Sequence, residues 1–462
     1  MNRSISLKVC LLSAITVAAA PKGADHGVLL DVQPAAAPVL ALKYQLLPEV
    51  AEMNPGNAYP AYLKCFGEQH RFFFSKEGSE EREKWLKSPL TDIKPGSLKD
   101  YGGSALRQAD HAARLEYCDW NILPQMREHG YMLLLPEVQQ LRTLASALAV
   151  RCRGQIVDKD YDGAVKTLKT MFALARHLGE HPTIITGLVG AAIAQVALNA
   201  LEELIQQPGA PNLYWALTQL PAQIVDYRKG VSADRSITEA TFGHLMDNKR
   251  AWSADDVALA TKKFKELGAL MELKPEERAM GEQWLRDRVK NAEWQSAAKK
   301  SLSEAGYPAD VLAKYPPEQV LFFYLYQKAR VHHDEAVKWM GVPYWQAETA
   351  ILELRKEPMD FEEKITRQMI FAVEKVKGAH TKLEQRVALF RVIEAIRLDA
   401  AKNGGKLPEK LSDLSVPVPN DPATGKHFTY KLDGMTATLE GKAISTLTAG
   451  QTKYTYEIRL RK

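Results

Sequence analysis

The sequence predicts a mainly α-helical protein, an irregular α-solenoid or helical bundle, that ends in a small α+β domain with an antiparallel sheet. Apolar residues recur every three or four positions through most of residues 57–403, which is the period of an amphipathic helix. From residue 404 onwards apolar and polar residues alternate, and Asp433-Gly434 is a typical hairpin turn between two such segments. The chain is therefore predicted to contain a helical body, 57–403, and a tail, 404–462.

The first residues have the pattern of a secretory signal peptide. Arg3 and Lys8 are basic, and the apolar run 9–20 ends in small residues and is too short to cross a bilayer. We therefore expect a signal peptide over 1–19 and export to the periplasm or cell envelope, with a retained N-terminal helix as the alternative. Residues 20–56 are rich in Ala and Pro and are predicted to form a linker.

Three consecutive helices are the best-defined predicted elements. The first begins at Pro136, a residue type favoured in the first turn, and its apolar stripe continues to Ile156. The second carries an apolar stripe from Tyr161 to Ala175. The third begins after Thr183, whose side chain can accept a hydrogen bond as the N-cap.

The third of these helices has two interpretations, a buried core helix and a membrane span. Residues 184–201 contain no charge, which suits a membrane span. However, Gln195 and Asn199 interrupt the segment, and most of its apolar positions are Ala or Gly, which allow helices to approach closely. We therefore prefer a buried core helix for residues 183–205.

Composition and charge are those of an ordinary soluble globular protein. The hydrophobic fraction is 46% and the charged fraction is 25%. The formal net charge of +5 becomes +3 once Arg3 and Lys8 leave with the signal peptide. Such a small excess, spread along the chain, argues against nucleic acid as a partner and does not favour an anionic membrane.

The cysteines give one candidate disulfide. Cys10 lies in the predicted signal peptide, so Cys65, Cys118 and Cys152 remain. An oxidising compartment allows one bridge among the three, and Cys65 with Cys118 is the candidate pair. Cys152 falls on the apolar stripe of a predicted helix and is expected to be a buried free thiol.

One short string could hold a metal. Residues 177–181 read HLGEH, the H-x-x-E-H pattern of inverted zincin peptidases. On a helix His177 and His181 share one face and could bind zinc, with Glu180 as the general base. A third ligand would be needed, and Glu202 on the next helix is the candidate.

A simpler interpretation of the same string is a helix end. Gly179 and Pro182 weaken the helix where a metal site needs rigidity. Histidines at a helix C-terminus also stabilise it, since their positive form complements the helix dipole. Glu203 is the alternative third zinc ligand to Glu202. We prefer the helix-end interpretation and therefore predict no catalytic residue and no cofactor.

Two further clusters are predicted to be structural. His332 and Glu335 lie three residues apart on one helical face, a spacing also found in metal-binding bundles, although those place Glu before His. We prefer a polar helix surface for them. A set of aromatic residues could line a groove for a peptide or a partner helix, although core packing is the preferred interpretation: Tyr214, Trp215, Phe322, Phe323, Tyr324 and Tyr326.

Parts of the chain resemble known families. The last helix and the tail contain Asn403-Gly404-Gly405, Leu407-Pro408, Leu411, Leu414, Asn420 to Lys426, Phe428 and Tyr430. With these residues the tail resembles the globular end of type II secretion pseudopilins, which implies a small α+β fold. Residues 158–182 resemble the second half of a tetratricopeptide repeat (TPR), without a second copy at the 34-residue period. Residues 118–217 resemble a family of uncharacterised exported bacterial proteins, which implies architecture and no activity.

These observations lead to one preferred function and two alternatives. We expect an exported, non-enzymatic helical scaffold of the cell envelope that binds protein partners through a concave helical face, because stacked helix pairs provide such surfaces. The first alternative is a zinc-dependent hydrolase built on residues 177–181. The second is a membrane-anchored envelope or secretion-system component held by residues 183–205. The oligomeric state is not predicted.

Overall fold

The structure of the chain, a computed structural model, describes residues 27–270, 275–354, 360–368, 373–446 and 450–461. The predicted signal peptide, 1–19, lies outside the described residues. The chain divides into two compact units. We call them the helical unit and the sheet unit. The helical unit contains Asn121–Leu134 and Val231–Glu374, and the sheet unit contains 27–120, Leu135–Gly230 and 375–461.

The described residues are mainly helical. Numbered in chain order, the α-helices are α1 (Ala58–Glu68), α2 (His70–Phe74), α3 (Lys76–Lys87), α4 (Gly103–Ala112), α5 (Leu123–His129), α6 (Pro136–Val157), α7 (Tyr161–Gly179), α8 (Ile184–Ile205), α9 (Tyr214–Thr218), α10 (Arg228–Phe242), α11 (Ala254–Leu270), α12 (Pro275–Lys290), α13 (Ala292–Glu304), α14 (Ala309–Leu312), α15 (Pro317–Val337), α16 (Tyr344–Glu353), α17 (Phe361–Gln368) and α18 (Val373–Lys402). The strands are β1 (Val28–Val32), β2 (Asn54–Asn57), β3 (Leu115–Tyr117), β4 (Thr429–Asp433), β5 (Thr436–Glu440), β6 (Ile444–Thr446), β7 (Gly450–Thr452) and β8 (Thr455–Leu460).

Helices α6, α7 and α8 form the centre of the sheet unit, and the prediction of three consecutive helices is confirmed. Pro136 is the first residue of α6. Asp160 caps α7 by accepting a hydrogen bond from the Gly163 amide over 2.9 Å. Thr183 caps α8 by accepting one from the Thr186 amide over 3.4 Å. Local capping chemistry and apolar periodicity therefore set the bounds of these helices.

Helix α8 packs closely against α7 because of a small residue. A Cβ atom at Gly190 would lie 2.8 Å from the carbonyl oxygen of Ala175, too close for any larger side chain without movement. Among the described helices, α8 alone is long and apolar enough to cross a membrane, and 83% of its most apolar 18-residue window is buried. This burial agrees with a core helix.

Strand β1 and three strands of the tail form a small mixed sheet with the strand order β1-β8-β5-β4. Strands β4 and β5 form the predicted antiparallel hairpin, and Gly434 in its turn has a φ of +59°. Strand β5 also pairs antiparallel with β8, whereas β1 pairs parallel with β8. The prediction of a purely antiparallel sheet is therefore wrong in one strand.

That strand comes from the segment predicted as a linker, 20–56. Residues 28–32 form β1, and its Leu30 and Val32 are fully buried. Their neighbours are rich in Ala and Pro, so the short apolar run was not recognised as a strand. The sheet unit consequently combines parts of the predicted linker, helical body and tail.

Helix α18 packs on the buried face of the sheet. Alternate residues of the central strands, Leu439 of β5 with Tyr456 and Ile458 of β8, are fully buried. The rings of Phe390 in α18 and Tyr456 in β8 lie 5.7 Å apart. The apolar face of α18 therefore forms the core between helix and sheet.

A buried carboxylate organises the turn before the hairpin. Asp421 accepts hydrogen bonds from the Ala423 amide over 2.8 Å and the Lys442 amide over 2.7 Å. Gln385 of α18 donates a third over 2.9 Å. Because these donors come from three segments, Asp421 holds the turn against both the helix and the following chain.

The core of the helical unit is aromatic. Phe322 and Phe323 of α15 are both 1% exposed, and they pack with Phe242, Trp252 and Leu302 from the neighbouring segments. This confirms the structural interpretation of these two phenylalanines. The core lies between α10, α11, α13 and α15.

Two consecutive helices of this unit are separated by a single residue. Helical periodicity continues over 275–305, whereas α12 ends at Lys290 and α13 begins at Ala292. Asn291 separates them by accepting a hydrogen bond from the Trp294 amide over 2.9 Å. The Asn side chain thus starts a new helix where periodicity alone predicted continuity.

Candidate functional site

The helical unit contains a groove of about 670 Å³ that is partly open to solvent. Four helices contribute its walls: α11, α12, α15 and α17. Its apolar lining consists of Trp252, Val257, Ala260, Phe264, Gly281, Leu285, Val289, Leu321, Phe322, Phe361 and Ile365. We call this cavity the four-helix groove.

Helical periodicity explains how each wall presents its apolar residues. On α12 the lining residues Gly281, Leu285 and Val289 recur every four positions, so they lie on one face. On α11 the lining residues Val257 and Phe264 are seven positions apart, which also places them on one face. Each helix therefore directs a single stripe into the groove.

A glycine widens the groove on the α12 side. A Cβ atom at Gly281 would lie 3.4 Å from the nearest ring atom of Phe361, which is an ordinary van der Waals contact. An alanine would therefore fit, and a larger side chain would extend into space that the groove now leaves open. Leu285 and Val289 beside it are only half-buried.

The aromatic wall is preformed, because hydrogen bonds and ring packing hold Trp252 in place. The rings of Trp252 and Phe322 lie 5.1 Å apart. The indole Nε1 of Trp252 donates to the Leu245 carbonyl over 3.2 Å, and its backbone amide donates to Gln319 over 2.8 Å. A preformed wall of this kind loses little conformational entropy when a ligand binds.

Basic residues outnumber acidic ones around the groove. The lining contains five basic residues, Lys265, Arg278, Arg286, Lys290 and Lys364, and three acidic ones, Glu277, Glu282 and Glu318. Lys364 pairs with Glu277 over 3.1 Å, and Arg286 pairs with Glu282 over 3.5 Å. Lys265 and Lys290 are exposed, and among the described residues neither forms an ion pair.

The histidines of the HLGEH string are buried in the sheet unit, whereas the groove residues belong to the helical unit. His177 lies in the last turn of α7, and its Nδ1 is 3.0 Å from the hydroxyl of Tyr62. His181 lies beyond the end of α7, and its Nδ1 is 3.1 Å from the hydroxyl of Thr183. Burial lowers the pKa of both imidazoles to about 3, so both rings are neutral at pH 7.

The candidate acid–base and third-ligand residues have other partners. Glu180 forms an ion pair with Lys229 on the solvent side. Glu202 accepts hydrogen bonds from Arg386 and from the hydroxyl of Tyr456, each over 3.1 Å. Within the described ranges, no group of three or more His, Cys, Asp or Glu residues is placed to hold a metal. These contacts do not favour a zinc site. The neutral imidazoles also do not supply the positive charge with which histidines were expected to complement the helix dipole.

The second histidine cluster is only partly a helix surface. Glu335 is exposed and pairs with Lys338 over 2.7 Å. Burial lowers the pKa of His332, and His333, which lies 3.2 Å from Asp334, is 7% exposed. The polar surface that the sequence favours is therefore present at Glu335, whereas His333 is buried.

The cysteines are separate thiols in the structure. Cys65, Cys118 and Cys152 are all buried and free, so the predicted bond between Cys65 and Cys118 is not formed. Burial raises the pKa of the Cys65 and Cys152 thiols to about 12 and raises that of Cys118 as well. The thiols are therefore protonated and poorly reactive at pH 7.

Sequence reasoning preferred core packing for Phe322 and did not identify the groove lining. Phe322 belongs to the aromatic set that the sequence offers as a groove lining, and it does line the four-helix groove. Gly281, Leu285 and Val289 were not recognised. Their four-residue spacing within the otherwise charged helix α12 is the signal that could have revealed them.

Compared with family models, with curated proteins and with solved structures, the chain has no match.

Proposed function

We propose that this chain is an exported, non-enzymatic scaffold of the cell envelope that binds a protein partner through the four-helix groove. The observation that carries the proposal is the apolar lining of this groove, which is supplied by four helices and remains partly open to solvent. Exposed apolar surface of this kind is unfavourable in water unless a ligand covers it.

The size and lining of the groove support binding. A volume of about 670 Å³ lies within the range of ligand-binding sites, which is roughly 300–1,000 Å³. The described lining residues are apolar or charged, apart from Thr261, and they include neither Cys nor His. Such groups recognise a ligand by burial and charge, so binding is the function that they support best.

The two alternatives receive less support. A zinc hydrolase would need Glu180 and Glu202 beside the histidines, and they pair instead with Lys229 and Arg386. A membrane-anchored component would need the apolar surface of α8 to face lipid, and most of that surface is buried within the sheet unit.

The resemblances form part of the proposal. We propose a TPR-like arrangement for the helical body, supported by the pairing of α6 with α7. We propose a pseudopilin-like fold for the tail, supported by the buried Asp421 turn and the β4–β5 hairpin. Export through a cleaved signal peptide is checked by N-terminal sequencing of the mature protein, and we expect cleavage after Ala19.

Site-specific photocrosslinking in intact cells tests the proposed function. A photoreactive amino acid replaces Thr261, an exposed residue of the groove lining, and a control replaces Lys300, an exposed residue of α13 outside the lining. We expect the Thr261 probe to capture one reproducible protein and the Lys300 probe to capture none.

Two variants of one residue show whether the groove is responsible. Gly281→Leu fills the groove, whereas Gly281→Ala adds a methyl group in ordinary contact with Phe361. Both replace glycine with a better helix former, so neither weakens α12. We expect Gly281→Leu to abolish capture and Gly281→Ala to preserve it. Equal capture by both variants would contradict the proposal.

A further inference from the structure

We infer that the occupant of the four-helix groove is an amphipathic helix of another protein whose apolar stripe is flanked by carboxylate side chains. This inference rests on the proposed function and specifies the chemistry of the partner. It is drawn from the shape of the groove and from the charges around it.

The shape of the groove fits one face of a helix. Its apolar lining is elongated on the α12 side, where Gly281 to Val289 extend over eight positions or about 12 Å, and its open side leaves part of any occupant in water. A helix in a groove buries one apolar stripe and keeps its polar face exposed. An acyl chain is apolar on every side and would leave part of its surface in water.

The charges around the groove favour an acidic occupant. Lys265 on α11 and Lys290 at the end of α12 are exposed, and neither has an ion-pair partner among the described residues. They remain available to a ligand, whereas Lys364 and Arg286 already pair with Glu277 and Glu282. Complementary charge at the edge of an interface accelerates association and selects the partner.

A pair of designed peptides tests the inference. Both are helices of about 18 residues with leucines at i, i+3, i+4 and i+7, flanked by glutamates in one and by lysines in the other. Binding to the full chain is measured by titration calorimetry. We expect the glutamate peptide to bind about tenfold more tightly than the lysine peptide, with the difference falling at high salt.

Charge reversal and its control identify the residues responsible. We expect Lys265→Glu with Lys290→Glu to weaken the glutamate peptide about tenfold and to strengthen the lysine peptide. Lys300→Glu, which makes the same change on α13 outside the lining, should leave both affinities unchanged. If the double variant and Lys300→Glu behave alike, the inference is wrong.

Other occupants give different results. If both peptides bind equally and Gly281→Leu abolishes this binding, the inferred preference for carboxylates is wrong. The groove would then still be the binding site of the proposed function. Binding of oleate that Gly281→Leu abolishes, without binding of the glutamate peptide, would identify a lipid site instead. Self-association of the chain that Gly281→Leu abolishes, measured by sedimentation, would identify a second copy as the occupant. Each of these results overturns the inference.

Discussion

Arg386 of α18 donates a hydrogen bond to Glu202 of α8 over 3.1 Å, and 1% of the arginine side chain is exposed. The same guanidinium donates to the side chain of Gln195 over 3.0 Å and to the hydroxyl of Tyr456 over 3.4 Å. One buried cation therefore joins the last long helix, the apolar helix α8 and the central strand β8. This contact explains why Glu202 is not free to act as a metal ligand.

We expect Arg386→Met to destabilise the sheet unit by about 3–5 kcal/mol, because it leaves the Glu202 carboxylate buried without its cation. Unfolding in urea, followed by circular dichroism, measures the loss. Arg459→Met is the control, since Arg459 pairs with Asp31 at the surface and is 47% exposed. It should change stability by less than about 1 kcal/mol. Similar losses in both variants would contradict the structural role of Arg386.

Local signals in the sequence were sufficient to predict α6, α7 and α8, because Pro136 and Thr183 mark helix starts within a few residues of each apolar stripe. They were not sufficient for β1. Asp31 of this strand is paired with Arg459 of β8, 428 positions away, and no local pattern indicates that pairing. The mixed character of the sheet therefore depends on long-range contacts.

The lining of the candidate site also depends on contacts that local sequence patterns do not indicate. Phe322 could be proposed as a groove residue from its aromatic neighbours, but the lining also needs Gly281 and Leu285 from a helix that is mostly charged. Which helices face each other is decided by tertiary packing. The HLGEH string shows the opposite case. Its spacing is that of a zinc site on a helix, but the helix ends at Gly179, so His181 lies outside it.

The raised pKa of the Glu384 carboxyl should make the stability of the chain depend on pH. Burial raises the pKa of this carboxyl to about 7, and Lys377 opposes the shift; His380 lies 3.4 Å away. The folded chain therefore retains a proton that the unfolded chain releases above about pH 4.5, so this group stabilises the fold at low pH and the contribution is lost as pH rises to 7. Glu384→Gln should gain roughly 1–3 kcal/mol relative to the parent between pH 5 and pH 8. A constant difference in the free energy of unfolding between the two proteins would contradict this prediction.

Metal analysis should separate the helix end from a zinc site. We expect the purified chain, incubated with zinc and freed of excess, to retain no stoichiometric metal by mass spectrometry, because Glu180 and Glu202 pair elsewhere. Zinc should also leave the melting temperature unchanged. One zinc per chain that is lost in His177→Ala would reverse this conclusion and favour the hydrolase alternative.

Thiol titration should distinguish buried free cysteines from the disulfide that the sequence allows. In the native chain, Cys65, Cys118 and Cys152 should react slowly with an alkylating reagent, because all three are buried and their pKa values are raised. After denaturation without a reductant, all three should be labelled. Labelling of Cys152 alone, with Cys65 and Cys118 protected until reduction, would establish the disulfide.

Two glycine-to-alanine variants should have opposite effects on stability. Gly190→Ala introduces a methyl group 2.8 Å from the Ala175 carbonyl oxygen, so α7 and α8 must separate, and we expect a loss of about 1–3 kcal/mol. Gly67→Ala, in α1, places its methyl group where no atom lies within 4 Å. It should instead stabilise the chain by about 0.5–1 kcal/mol through helix propensity alone. Urea unfolding of both variants gives the comparison. The chemical change is identical in the two variants. If both increase the free energy of unfolding, α7 and α8 do not need the close approach that Gly190 allows.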